Sequence, residues 1–563
     1  MATATLGVMR YSLALVVQDF VRRPTLALAA AFLVLFILFI AYPIGIVLVK
    51  GFQAGADGGF TFQYYREFFS KDYYYRSIRN SLILGLVTTS TLMVLGFVFA
   101  YTVTRGPVLL RMPLRVIALL PLIAPHYIFG VSLIILAGRQ GIMTKAFGLE
   151  GWTIYGWAGV ILSQILSFLP IAFIMIENVF RSLDPHLEDS ARDQGARELT
   201  VLRTVTIPLC TPGILKAGLL VFSLSLADFA NPALLGGNLS FLAPDAYLFI
   251  TGEMNVRMGS VVSTVLVLPC LAIFLIHHYW LKGKSYTTVG GKPVFAEPRD
   301  IGASLKVLLM GVCLTVAALI VANFGVTLFS AFTVLAGVDN TFTFRHMMNR
   351  DGLAALVTSL QVSFIVGIIG TGLGNLLAYT LMRDRAFGRN LIEFLALAGF
   401  ALPGTVLGIG YLMAFNEPPL HLTNTFSILV IVTLFHSIAV PLELGYSKLH
   451  QISIEMEEAS ADLGGRFVTT FRRIVMPLMS SSFIAGFVYS FMYSMVSVSA
   501  LILLVAPGKM LASVYIFQMA DLGILNTACA VTTYLVVFVL LSLAGLRLCL
   551  RMTELRAGRG AQI

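Results

Sequence analysis

Twelve apolar runs, each long enough to cross a bilayer, recur along this chain of 563 residues. A transmembrane helix needs about 20 mostly apolar residues. The chain is 58% apolar and 12% charged, whereas soluble domains carry about 25% charged residues. These features predict an all-α polytopic membrane protein with about twelve transmembrane helices. The runs lie near 25–49, 80–104, 113–137, 154–178, 206–235, 259–281, 304–334, 356–381, 391–414, 426–447, 478–505 and 522–549.

The positive charge of the chain is distributed between the apolar runs. Most of its 38 Lys and Arg residues fall in the alternate loops that include both termini. Cytoplasmic loops carry such an excess, so we expect the N- and C-termini to be cytoplasmic. The first run is too long for the core of a signal peptide and is expected to stay as a span. The net charge of +10 is therefore not an indication of nucleic-acid binding.

The chain also contains an internal repeat. The polar stretch 282–303 separates six runs from six, and it predicts a cytoplasmic linker between two halves, 1–281 and 304–563. Six spans in each half give both copies the same orientation, a parallel repeat. Residues recur between the halves at a constant offset: Tyr101, Arg105, Pro125 and Gly130 match Tyr379, Arg383, Pro403 and Gly408.

Two loops on the predicted cytoplasmic side share a longer pattern. An acidic residue and two small residues are followed by Gly six residues after the acid and by Pro nineteen after it. Each acid is expected in a short amphipathic helix that the Gly ends, and each Pro in the first turn of the next span. Two ordinary loops would leave the shared spacing unexplained. The residues are Asp189, Ser190, Ala191, Gly195 and Pro208, and Glu458, Ala459, Ser460, Gly464 and Pro477.

These loops resemble the EAA loop of permease subunits in binding-protein-dependent ABC importers. The resemblance implies the type I importer permease fold in a bacterial inner membrane. It also implies a periplasmic substrate-binding protein and two copies of a cytoplasmic ATPase, each receiving one loop as a coupling helix. The fused halves and the stretch from Asp228 to Gly237 look most like ferric-iron permeases. Similar permeases serve aminoethylphosphonate, phosphate esters, thiamine and polyamines, and these substrates stay open.

The chain itself shows no nucleotide-binding motif. The nearest match to G-x-x-x-x-G-K-S/T is Gly290-Gly291-Lys292, which has Pro293 next and Tyr286 in place of the first Gly. We therefore expect a transporter subunit that is not an enzyme and holds no cofactor, with ATP and Mg²⁺ bound by the partner ATPase. The five Cys residues lie singly and predict buried apolar positions, with no metal site.

Several polar residues at membrane depth are candidates for the translocation path. Asp228 lies roughly 30 Å along a helix from Pro208, near the outer end of its span. Asp228 and Asn231 either line the path or cap a helix, and the repeat places Ser497 and Ser499 opposite them. His126 is expected in mid-helix of the third span, as a packing residue or a substrate contact. His436 and Glu443 share one face of the tenth span, either paired or lining the path.

Two further alternatives remain at this point. A major-facilitator secondary transporter also has twelve spans in two parallel halves, and the loop Asp384–Arg389 resembles that family's D-R-x-G-R loop with one extra residue. The aromatic loop 50–79 predicts either an interfacial belt or a docking surface for an external partner.

Overall fold

The computed structural model describes residues 24–54, 59–106, 108–148, 151–276, 303–383 and 388–560. Within these ranges, nine helices are long and apolar enough to cross a membrane. Three further spans are helix pairs bent by 111°, 45° and 74° at a short break. Six spans precede the predicted linker and six follow it, which confirms the twelve-span prediction. The linker 282–303 lies almost wholly outside the described residues, and the division 1–281 and 304–563 stays a prediction.

Spans one to six form the first repeat. Its short strands β1 (Gln53–Ala54) and β2 (Gly59–Phe60) pair antiparallel, and π segments cover Ile37–Ala41 and Leu202–Thr206. The helices are α1 (Pro24–Phe36), α2 (Tyr42–Lys50), α3 (Gln63–Ser70), α4 (Asp72–Arg105), α5 (Val108–Leu119), α6 (Ile128–Ala137), α7 (Ile142–Ala146), α8 (Trp157–Ser182), α9 (Pro185–Asp193), α10 (Glu198–Val201), α11 (Ile207–Ala227), α12 (Ala230–Leu235), α13 (Leu242–Thr251) and α14 (Val256–Leu275).

Spans seven to twelve form the second repeat. Strands β3 (Thr333–Leu335) and β4 (Asp339–Phe342) pair antiparallel, and a π segment covers Phe471–Val475. The helices are α15 (Ala303–Ala331), α16 (Arg350–Arg383), α17 (Arg389–Ala401), α18 (Gly404–Ala414), α19 (Phe426–Ser437), α20 (Ala439–Leu449), α21 (Glu455–Asp462), α22 (Phe467–Thr470), α23 (Met476–Leu478), α24 (Ser480–Val496), α25 (Ala512–Asp521) and α26 (Leu525–Gly560).

The first span of each repeat packs against the opposite repeat. Tyr411 Oη in α18 donates a hydrogen bond of 2.7 Å to the backbone oxygen of Phe39 in the first span. In the matching contact, Ser132 Oγ in α6 donates to Asn323 Oδ1 in the seventh span at 2.6 Å. Each peripheral span therefore ties the two repeats together through a polar contact inside an apolar core.

Three local predictions are wrong. His126 is not in mid-helix, because the third span breaks into the 3₁₀ turn Leu120–Ile123 and α6, and His126 lies in the break. The run 206–235 is not one helix, because α11 ends at Ala227. Its C-terminal capping residue is Asp228.

The third wrong prediction concerns Pro208 and Pro477. Neither begins a span, since each is the second residue after a π segment, Leu202–Thr206 or Phe471–Val475, within a longer run of helix. A proline ring clashes with the carbonyl four residues before it and cannot donate a hydrogen bond. The wider π turn before each proline accommodates the ring. The helix then continues to Ala227 in the first repeat, whereas in the second it ends at Leu478 and the chain bends by 74° before Ser480.

Candidate coupling loops and translocation path

Both acidic motifs form short helices, as predicted. Asp189, Ser190 and Ala191 lie in α9, and Glu458, Ala459 and Ser460 lie in α21. Equivalent residues start the two helices: Asp184 accepts a hydrogen bond from the backbone of His186, and Ser453 from that of Glu455. Such side-chain acceptors satisfy amide groups that the first turn leaves unpaired. We call α9 and α21 the coupling helices.

Each coupling helix ends in the same hydrogen-bonded turn. The backbone nitrogen of Gly195 donates to Arg192 and that of Ala196 to Ala191. Gly464 and Gly465 repeat these two bonds with Ala461 and Ser460. This pair of bonds is the Schellman motif, which requires a left-handed residue at the first position past the helix. Gly195 has φ +86° and Gly464 has φ +82°, so the prediction that glycine ends both helices is confirmed.

A buried ion pair joins each coupling helix to the end of a long span. Arg105 Nε lies 3.1 Å from Glu188 Oε2, and Arg383 Nε lies 2.8 Å from Glu457 Oε1. The arginines are the last residues of α4 and α16. Because Arg105 and Arg383 are equivalent positions of the repeat, and Glu188 and Glu457 are too, both repeats attach their coupling helix to a long span in the same way.

Each ion pair has further polar support. Thr206 Oγ1 donates to Glu188 Oε1 at 3.1 Å. This hydrogen bond connects the Arg105–Glu188 pair to the N-terminal part of the fifth span. In the second cluster, Tyr379 Oη donates to Glu457 Oε2 at 2.6 Å. A carboxylate buried with several donors is held in one position. The glutamates therefore fix the coupling helices to the spans.

The motif acids themselves face outward and differ between the loops. Asp189 lies 3.2 Å from Arg192 Nη1, and the same guanidinium makes a bidentate contact with Glu198 at 2.6 and 3.1 Å. Glu458 is exposed. A cleft of about 810 Å³ opens beside α9. It is lined in part by Leu187, Ser190, Ala191, Gln194, Gly195 and Pro208.

Asp228 lies at the centre of a buried polar cluster. Its side chain has no exposed surface. Its Oδ2 accepts hydrogen bonds from Gln164 Nε2 at 3.0 Å and from Asn231 Nδ2 at 2.9 Å. Gln164 is held in turn by Ser225 and Thr88, and Asn231 by Ser163. Buried polar groups of this kind persist only when their partners are present, and here the cluster joins three spans.

His126 covers this cluster. Its Nε2 lies 3.5 Å from Asp228 Oδ1, and its side chain is 30% exposed. The ring stacks on Phe168, with centroids 6.1 Å apart. The structure thus brings His126, Asp228 and Asn231 together. The partly exposed imidazole of His126 lies over the buried carboxylate of Asp228.

The second repeat contains no such carboxylate at the matching place. Ser497 is the C-terminal capping residue of α24, as Asp228 is of α11. Ser499 touches Gly404, where any side chain would collide with its hydroxyl. Gly404 is the counterpart of His126, so Ser499 packs on a glycine of its own repeat and not on the Asp228 cluster.

His436 and Glu443 do not share one straight helix. The tenth span bends by 45° between α19 and α20, and the two residues lie on either side of that bend. His436 Nδ1 lies 3.0 Å from Tyr493 Oη, and His436 is buried. The histidine is therefore a packing residue within the bundle.

Aromatic side chains close the space between the repeats next to Asp228. Phe229 lies 5.1 Å from Phe517 and 4.9 Å from Tyr247, centroid to centroid. Tyr127 lies 5.9 Å from Phe517 and donates a hydrogen bond to the backbone oxygen of Ser513. Because Tyr127, Phe229 and Phe517 are all buried, the repeats are in contact at this level.

Sequence reasoning missed Glu188, Glu457 and Gln164. Glu188 and Glu457 each precede the motif acid by one residue, and both recur with the same offset as the motif. That shared offset and the repeated arginines were the available signals. Gln164 has no counterpart of its type in the second repeat, so no repeat signal marked it. Among the described residues, no three His, Cys, Asp or Glu side chains form a group that could hold a metal ion.

A bundle of twelve spans with two matched loops and a buried polar cluster in its first repeat is the architecture of a membrane transport subunit. The chain belongs to the family "binding-protein-dependent transport system inner membrane component", whose model matches residues 92–330 and 370–551. It is a permease of the ABC importer class with two permease repeats in one chain. This membership overturns the major-facilitator alternative. Members of this family work with a substrate-binding protein and an ATPase.

Two relatives are permease proteins of ferric transport systems. The chain is 30% identical over 529 residues to the ferric transport system permease protein FbpB of Actinobacillus pleuropneumoniae, covering 91% of this chain and 76% of that protein. It is also 30% identical to the putative ferric transport system permease protein FbpB 1 of Haemophilus influenzae, covering 86% and 78%. A solved bacterial ABC transporter that imports alginate matches 47% of this chain at 17% identity, with a TM-score of 0.39.

Proposed function

We propose that this chain forms the membrane path of an importer for ferric iron. The observation that carries this proposal is the 30% identity to a ferric transport permease over 91% of the chain. The ion is the cargo, delivered by a periplasmic binding protein. Aminoethylphosphonate, phosphate esters, thiamine and polyamines are the other cargoes that the test should include.

The coupling helices receive the motion of the ATPase in this proposal. Two loops, α9 and α21, engage two ATPase subunits that bind ATP and Mg²⁺, with both chain termini on the cytoplasmic side. Arg105–Glu188 and Arg383–Glu457 attach these helices to the ends of α4 and α16. A displacement of either coupling helix therefore moves a 34-residue helix as one body.

Substrate passes between the repeats in alternating access. The contact of Phe229 with Phe517 has to separate before anything crosses at this level. His126 also has to move away from Asp228 before the carboxylate is exposed to the path. Asp228, Asn231 and His126 are the first-repeat contributors, and Ser497 and Ser499 are the uncharged counterparts. The path is thus asymmetric, because the first repeat contributes a carboxylate and the second contributes hydroxyl groups.

Energised uptake tests the cargo. Cells lacking this protein, and cells re-expressing it, are offered labelled ferric iron and labelled aminoethylphosphonate in parallel. Iron uptake restored only by the intact chain is the expected result. Uptake of the phosphonate but not of iron would contradict the iron proposal and keep the permease assignment.

The coupling role is tested separately with Glu458→Arg. The exposed Glu458 lies on the face proposed to meet the ATPase, so charge reversal should lower uptake at least tenfold while the ATPase stays able to hydrolyse ATP. Glu417→Arg is the control, since Glu417 is also exposed and lies in the loop after α18, outside both coupling helices. Equal uptake by the two variants would contradict the proposed contact.

A further inference from the structure

Three phenylalanines form the same cluster on each β-hairpin. Phe52 stacks on Phe60 with centroids 5.4 Å apart and planes 8° apart, and Phe62 meets both rings edge-on at 83° and 87°. On the second hairpin, Phe332 stacks on Phe342 at 5.7 Å and 3°, and Phe344 meets both edge-on at 89°. We call these clusters the phenylalanine triads.

The two triads are built from different chain spacings. The first stacked pair, Phe52 and Phe60, is closer in the chain than the second, Phe332 and Phe342. The backbone registers agree nonetheless: Thr61 donates to Phe52 O at 2.8 Å, and Thr343 donates to Phe332 O at 2.8 Å. The same three-ring cluster therefore occurs twice although the loops differ in length.

Both triads lie at the end of the bundle opposite the coupling helices. The first hairpin leads into α3 and the start of α4, whereas Arg105 at the far end of α4 meets the coupling helix. The second hairpin contacts the region just before α16, where His346 Nε2 lies 3.2 Å from Val334 O. A 34-residue helix is about 51 Å long, so it separates the two ends by more than a bilayer core.

The triads continue the exposed faces of the peripheral spans. In the first span, Tyr42 and Val49 are exposed on one helix face and Phe52 follows three residues later. In the seventh span, Val321 and Leu328 are exposed on one face and Phe332 follows. Residues seven apart share a helix face. Apolar side chains exposed along a transmembrane helix face lipid, and the triads extend that surface beyond the helix end.

The outer rings of both triads are open and carry no polar atom. Phe60 is 72% exposed and Phe342 69%, while Phe62 and Phe344 are each 53% exposed. Bare phenylalanine surface of this extent costs free energy in water. The interfacial zone beside the acyl chains removes this cost, because it offers an apolar environment next to the spans. On the second hairpin, the polar Asp339 and Asn340 are exposed beside the phenylalanines.

We propose that the two phenylalanine triads insert into the outer-leaflet interface and anchor the peripheral spans at a fixed depth. Lipid is favoured over a docked protein because the apolar surface is continuous with the lipid-facing side of the spans. The anchors hold the first and seventh spans, each of which crosses to the opposite repeat, while the path between the repeats opens and closes. The inference is independent of the cargo.

Tryptophan quenching in nanodiscs tests the anchors. The full chain with F60W, and separately with F342W, is placed in phosphatidylcholine nanodiscs whose lipids are brominated near the headgroup at carbons 6 and 7. We expect the emission added by each tryptophan, after subtraction of the unsubstituted chain, to fall at least twofold. Aqueous iodide should quench the same emission far less.

A third variant supplies the control. Leu463→Trp lies at the tip of the second coupling loop, where the native leucine is 90% exposed. Its emission should be quenched by iodide and left unchanged by brominated lipid. Iodide quenching of F60W and F342W equal to that of L463W, without lipid quenching, would overturn the proposal and leave the triads as a surface for a protein.

Discussion

Arg383 Nε lies 2.8 Å from Glu457 Oε1, at the point where a 34-residue span meets a coupling helix of two turns. Arg383 Nη2 also donates to the backbone oxygen of Ile452, in the segment that leads into that helix. The two side chains keep only 12% and 11% of their surface exposed. A coupling helix with little buried apolar surface is thus held by charge and hydrogen bonds rather than by a core.

Removing one partner of this pair should cost more than removing both. Glu457→Ala leaves the Arg383 guanidinium buried without its carboxylate, which typically destabilises by about 3–5 kcal/mol. Arg383→Ala combined with Glu457→Ala should regain part of that loss. Denaturant titration of the purified chain measures the three free energies. Glu455→Ala, on the exposed face of the same helix, is the control and should stay near wild type.

Gly464→Ala should weaken the second coupling loop through backbone strain alone. A Cβ atom at Gly464 meets nothing within 4 Å, but its φ of +82° costs an alanine about 1–2 kcal/mol. Gly311 also has free space around it and lies within α15 without a positive φ. Gly311→Ala should therefore be neutral or slightly stabilising. Equal thermal shifts for the two variants would contradict the role of the left-handed turn.

Asp228→Asn separates a transport role from a structural one. An asparagine can accept the hydrogen bonds of Gln164 and Asn231 through its oxygen and turn its amide toward His126. Folding should therefore persist, while uptake of ferric iron falls at least tenfold because the carboxylate charge is lost. Uptake assays with matched expression measure this. Unchanged uptake would contradict a transport role and leave Asp228 with a structural role only, as the residue that caps α11.

Asp245 predicts a pH-dependent stability. It lies in α13, outside the candidate spans, with Oδ2 buried and without a hydrogen-bond partner among the described residues. Burial raises the pKa of this carboxyl from 3.8 to about 7, against the opposing effect of its Ser77 hydrogen bond. The folded state therefore binds a proton more tightly than the unfolded state.

The sign of the effect follows from linkage. The stabilisation from Asp245 is complete below about pH 4 and is lost as pH rises toward 7 and above. Asp245→Asn should remove this loss, so that its melting temperature exceeds that of wild type at pH 8 and approaches it at pH 4. Melting curves at both pH values measure this, and parallel curves at both would contradict the assignment.

Much of this architecture follows from the sequence, because spans and Schellman turns depend on local chemistry. Apolar length predicted twelve spans, and the positions of Gly195 and Gly464 predicted the ends of two helices. Glu188 and Glu457 were missed because the sequence does not show which of two adjacent acidic residues in a loop is buried. The π turns before Pro208 and Pro477 were missed because proline usually begins a helix. The phenylalanine triads were missed because their spacings differ.

The crossing of the first and seventh spans also sets the order in which the molecule can be completed during synthesis. The first span leaves the ribosome long before Tyr411, its hydrogen-bonding partner in α18. Ser132 likewise waits for Asn323 of the seventh span. Neither repeat can finish its own core from the residues translated with it. The nascent first half therefore stays incomplete in the bilayer until the second half has been inserted.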